Sequence, residues 1–280
     1  QEHVQSAIPI STKINAAALP TAHGAYAGKI EDKKTEKRGR TRPRSLTELI
    51  ARGFQLIKWN GYDAHPLVDI HGRIFAVLAG QPRKHEYHAS VRAAYDIITA
   101  QGIAAGFPAC MRKHRRGLFA AINVGLTYGK GCSFPSCIDN KHYDPIAQCL
   151  LADTDINRMA NFASGVFAAW APRLYQHYDI NDRKLRQEHP ELRRPFVGSI
   201  FSCPAFNFGP NVWTFKHRDI TSGYVKSDLS RVSLTMGILA LIGVRSMVSN
   251  QGFGCNHMSW LQPHELVATT LPYMDVSMVL

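Results

Sequence analysis

SIFSCPAFNFGPNVWTFKHRD, residues Ser199 to Asp219, is the stretch on which the fold turns. Two aromatic-rich runs are broken at Gly209-Pro210, and such a break between β-formers predicts a sheet hairpin. The second run ends in His217 and Asp219. On a strand, residues two apart project from one face, so this imidazole and carboxylate can share one metal while Arg218 points the other way. That is what a facial triad of two His and one carboxylate asks of its first two ligands, leaving three positions of an octahedral Fe(II) open. By itself His-x-Asp is a weak motif, because an ordinary ion-paired strand end reads the same.

Upstream, Leu118 to Val124 (LFAAINV) is a β-like run, entered from the basic cluster Arg112-Lys113-His114-Arg115-Arg116 and left through Gly125, Gly129 and Gly131. A basic cluster beside a glycine-containing loop suits phosphates, although the spacing is not that of a P-loop. Apolar positions at helical period predict a helix over Glu86 to Ala104 and another over Ile156 to Tyr178, kinked at Pro172. Phe54 to Trp59 and Arg73 to Ala79 read as strands that pair as antiparallel neighbours, the second entered through Asp69-Ile70-His71-Gly72. Ser45 and Glu48 have capping-box spacing, so Leu46 to Arg52 reads as a short helix. Strands with separate helical stretches give an α+β class, with helices flanking a sheet.

The 280 residues are enough for one large domain or two small ones, and 45% hydrophobic against 19% charged excludes a mainly disordered, collagen-like or coiled-coil chain. The longest apolar run, Met236 to Val244, is about half of what a membrane-spanning helix needs, and no secretory layout opens the chain. The expectation is a soluble, intracellular protein with no membrane partner. A formal charge of +12 favours nucleic acid as the partner. Residues 29 to 44 hold eight basic and three acidic side chains, so 1–44 reads as a disordered basic arm for phosphate contacts or nuclear import. The alternative is a solvated linker. Cys132, Cys137, His142 and Cys149 have loosely metal-like spacing that matches none of the familiar zinc patterns, so loop and core thiols are the simpler reading.

Three runs in order, GLFAAINVGLTYGKG (Gly117 to Gly131), NRMANFASGVFAAWAPRLY (Asn157 to Tyr175) and FSCPAFNFGPNVWTFKHRD (Phe201 to Asp219), resemble the fungal, transposon-associated members of the TET/JBP family of iron and 2-oxoglutarate dioxygenases. The resemblance covers roughly Phe54 to Asp219. It implies a double-stranded β-helix, or jelly-roll, with flanking helices; Fe(II) and 2-oxoglutarate; and oxidation of 5-methylcytosine in DNA in the nucleus. His217 and Asp219 match the family's metal-binding His-x-Asp. The oxygenase domain it implies spans 45–226, with Arg112, Lys113, Arg115 and Arg116 as DNA-backbone contacts.

Beyond Asp219 the resemblance stops. The family continues into a Gly-Gly-His strand, a third ligand His and an Arg for the far carboxylate of 2-oxoglutarate, and none is legible here. Only Arg231 and Arg245 of the 33 basic residues follow Lys226, whereas five of seven Met do, so 227–280 reads as a divergent tail and the jelly-roll as incomplete. His257 and His264 are the remaining histidines, and His264 is the expected third ligand because it follows the apolar pair Trp260-Leu261. The competing reading is a catalytically dead, nucleic-acid-binding relic.

Overall fold

A computed structural model describes residues 2–16, 20–21, 29–30, 47, 50–51, 54–57, 59–113, 118–129, 132–209 and 266–269. They form a mixed α+β fold of small sheets and helices, and no jelly-roll closes among the described residues. The chain divides into two compact units, one holding Gln1–Gln81 and Trp213–Met278, the other Pro82–His114 and Leu118–Val212. No helix among the described residues is long and apolar enough to cross a membrane.

In the first unit, a one-turn helix α1 (Glu2–Gln5) precedes β1 (Ile10–Ser11), and the pair β2 (Pro20–Thr21) and β3 (Lys29–Ile30) runs parallel. β4 (Phe54–Ile57) is followed by β5 (His65–Val68) and β6 (Ile74–Leu78). The turn predicted at Asp69 to Gly72 closes a hairpin, but its first strand is β5 and not Phe54 to Trp59. β4 instead lies antiparallel to a strand at Leu266–Thr269, within the stretch read as a divergent tail. The physical reason is loop length: β5 meets β6 across one tight turn, which costs less closure entropy than the longer loop from β4.

The Asp69 carboxylate organises this hairpin. It accepts from the backbone N–H of His71 and Arg73 at 2.9 Å, from Ala16 N–H at 3.1 Å, and from Arg73 Nη2 at 2.6 Å. The last residue of the turn, Gly72, has a φ of +74°, which glycine adopts without strain. β1 runs parallel to β5 with Ile10 opposite Leu67, and Ile14 packs with Ile57, Trp59, Leu67, Phe75 and Leu78. Residues 10–16, counted by sequence with the basic arm, therefore belong to a packed sheet. The charged stretch 31–44 lies outside the described residues. Of the expected helix at Leu46 to Arg52, the described part is a single turn in which Ala51 N–H donates to Thr47 O at 3.0 Å.

The second unit opens with α2 (His85–Ala104), as the periodicity predicts. After the 3-10 turn Ala109–Arg112 come β7 (Ala120–Asn123), β8 (Leu126–Gly129) and β9 (Cys132–Cys137). Then follow α3 (Asp144–Ala152), α4 (Thr154–Trp170), α5 (Pro172–Glu188) and β10 (Ala205–Phe208). Asp153 caps α4, its Oδ1 accepting from Asp155 and Ile156 N–H at 3.1 and 2.8 Å. The single kinked helix expected over 156–178 is two helices. Ala171 leaves helical geometry at φ −132°, ψ 58°, and Pro172, which has no N–H to donate, starts α5 where none is needed.

β10 pairs antiparallel with β7, Phe206 opposite Ile122 and Phe208 opposite Ala120. The pairing continues past β7: Val124 N–H donates to Pro204 O and Leu126 N–H to Ser202 O, both at 2.9 Å. On the other side Leu126 lies opposite Cys137, and Ile138 N–H donates to Gly125 O at 2.8 Å. Residues 120–126 thus pair with 202–208 and residues 125–129 with 132–138, the two antiparallel ladders meeting at the bend at Gly125. One face of the layer is apolar. Ala120, Ile122, Phe206 and Phe208 pack with Ala94, Ala147, Leu150, Ile156, Met159 and Ala160 of the helices. Burying each of the two phenylalanines stabilises the fold by about 1.5–3 kcal/mol.

Candidate functional site

The β7/β10 register brings together two segments that the sequence singles out. Phe208, from which the chain continues toward the His-x-Asp stretch, lies opposite Ala120, which the chain reaches from the basic cluster. Side chains carry the link further. Arg112, in the 3-10 turn packed on β7, donates from Nε to Phe107 O at 3.0 Å, and the Phe107 ring lies 5.0 Å from that of Phe208. Arg112 and Lys113 are both exposed, which leaves their charges available to a phosphate. Arg115 and Arg116 lie outside the described residues, as do His217, Asp219, His257 and His264.

The face of the layer turned away from the helices is small and polar. By strand alternation it carries Ala121 and Asn123 from β7 with Ala205 and Asn207 from β10. Both amide atoms of Asn207, Oδ1 and Nδ2, are shut off from water without a hydrogen-bond partner among the described residues. Such an orphaned group costs about 1–3 kcal/mol. It makes this face the part of the described structure best suited to a polar ligand. Asn207 sits inside the aromatic run yet carries no sequence signal, because a missing partner is a property of surroundings.

Two other polar arrangements escape sequence reasoning. Between α2 and α4, Arg158 donates to Ser90 Oγ at 2.9 Å and to Glu86 O at 3.2 Å, its guanidinium 6.0 Å from the Tyr87 ring centre. Burial pushes the Tyr87 hydroxyl well above the usual phenol range, and that oxygen has no hydrogen-bond partner among the described residues. On α5, Asp182 binds Arg186 at 2.9 Å and Arg194 at 2.6 Å. Burial raises the Asp182 carboxyl, but the hydrogen bonds and charges of the two arginines outweigh it and hold the group below its ordinary value. The i, i+4 spacing of Asp182 and Arg186 is the one signal that could have found it.

The cysteine group takes no metal-like form where it is described. Cys137 is exposed, and the half-buried Cys149 accepts from Gln101 Nε2 at 3.4 Å. The Cys132 side chain lies outside the described residues. Among the described residues no three His, Cys, Asp or Glu side chains gather as a metal site. No family model, curated protein or solved structure matches the chain.

Proposed function

We propose that the chain is a jelly-roll dioxygenase of the TET/JBP kind, acting on 5-methylcytosine in DNA in the nucleus. The observation that carries this reading is the packing of the three segments on which the resemblance rests. Residues 120–126 pair with 202–208, and α4 closes on the same chain: Ile200 N–H donates to Ser164 Oγ at 3.0 Å, and Phe167 and Phe201 rings lie 5.8 Å apart. Stretches far apart in sequence thus form one body, with helices on one face and small polar residues on the other.

In this reading His217 and Asp219, with His264 as third ligand, hold Fe(II). Within the second unit, the orphaned Asn207 amide suits a polar ligand. Fe(II) with 2-oxoglutarate would supply the oxidation of the methyl group. The chain's own part is to bind and orient DNA: Arg112, Lys113, Arg115 and Arg116 hold phosphates while the target base leaves the stack. The stretch after Asp219 favours a second reading, a DNA-binding relic without turnover, because no Arg follows either candidate histidine. Mass spectrometry of DNA incubated with the protein, Fe(II) and 2-oxoglutarate separates the two. The dioxygenase reading expects an oxidised product that requires His217, Asp219 and His264 but not His257, whereas the relic reading expects DNA binding and no product.

A further inference from the structure

The β8/β9 hairpin contains an irregularity of a kind that proteins use at functional sites. Thr127 lies opposite Ser136 and Gly129 opposite Cys132, so Tyr128 alone faces Ser133, Phe134 and Pro135. The extra residues form a bulge, a device that re-aims side chains and recurs beside active centres. Pro135 belongs in it, since a proline cannot donate to a regular ladder. The result is that Phe134 stands 75% exposed, although the base of the same hairpin is anchored by Leu126 at 4%. The chain as a whole suits an anion. The chain carries +12, and exposed Arg112 and Lys113 lie on the turn packed against β7, the strand that leads into this hairpin.

We infer that Phe134 is a stacking platform for an unstacked DNA base. An aromatic ring offers any base a π-face, while cations such as Arg112 and Lys113 hold the backbone further along the strand. The inference rests on the DNA reading above and adds the residue and the mode of contact. The test is fluorescence anisotropy with a short labelled single-stranded DNA, titrated at several salt concentrations. Phe134→Ala is expected to weaken binding about tenfold, the loss of one stacked base, with the salt slope unchanged. Phe134→Tyr should keep wild-type affinity and Phe134→Leu should not. Val197→Ala, at a residue 88% exposed elsewhere in the unit, should change nothing. Wild-type affinity in Phe134→Ala, or in Phe134→Leu, would overturn the stacking role while leaving the DNA reading intact. No binding by the wild type at low salt would overturn both.

Discussion

Gly125 shows how much one residue decides. With φ at +113°, it bends the central strand, and a Cβ there would stand 2.2 Å from Ser202 O and 2.7 Å from Pro195. Backbone oxygen cannot move aside cheaply, so Gly125→Ala is expected to destabilise the second unit severely, seen as a lower urea midpoint. Gly102 is a milder case. Its Cβ would meet Phe208 Cδ1 at 2.8 Å, an overpacking cost of about 1–3 kcal/mol, offset by about 1 kcal/mol of helix propensity. Gly102→Ala should therefore cost less than Gly125→Ala. A reversed order would contradict the packing described.

Asp69 makes a pH prediction. Its hydrogen bonds from Arg73, first among several, hold the carboxyl well below the usual carboxylate range. A depressed folded value means the stabilisation is present above the unfolded value of about 4 and is lost as pH falls through the folded one. Wild type and Asp69→Asn should thus differ in urea midpoint at neutral pH and converge in strong acid. A constant gap would show that the charge is not what matters.

At the scale of elements, Asp182 ties α5 to the return that feeds β10. Arg186 binds both carboxylate oxygens at 2.9 Å and also donates to Leu192 O at 2.6 Å, while Arg194 reaches the same carboxylate from beyond the helix. Phe196, 1% exposed, follows at once. Asp182→Asn leaves Arg186 without its carboxylate and Arg194 with only Asp179, at 3.5 Å. Because both are partly exposed and screened, the expected loss is about 3 kcal/mol, the low end for breaking a buried pair, measured by denaturant titration.

Elements with a strong local signal are legible in sequence. The helix α2 and the strand β7 stand almost where periodicity puts them, and the cap at Asp153 has an evident chemical reason. β5 is not legible, because His65-Pro66-Leu67-Val68 is short and its proline argues against a strand. The α4/α5 break reads as a kink because Pro172 marks the place but not whether the axis continues. The pairing of β4 with Leu266–Thr269 joins residues far apart, and no local pattern predicts that. Of the site, the basic cluster is visible as charge, whereas the orphaned Asn207 and the bulge at Phe134 depend on neighbours contributed by other segments.

At the scale of the whole molecule, charge sets the expectation. Phosphate contacts release counterions, so affinity for DNA should fall steeply as salt rises. Because residues 10–16 pack in the first unit's sheet, the arm is best tested without deletion. Replacing Lys33, Lys34, Lys37 and Arg38 by Gln should flatten the slope of log affinity against log salt, by about 0.9 for each phosphate no longer neutralised. An unchanged slope would remove that stretch from the DNA interface.

The most direct test of the proposed chemistry is the yield of oxidised 5-methylcytosine, measured by mass spectrometry of digested DNA after incubation with the protein, Fe(II) and 2-oxoglutarate. With no Arg after His257 or His264 to pair with 2-oxoglutarate, a small yield is expected, since charge-assisted pairing is what would anchor that dianion. This product is expected to disappear without 2-oxoglutarate and in His217→Ala and Asp219→Ala. Product that survives either substitution would contradict the assignment of the iron site.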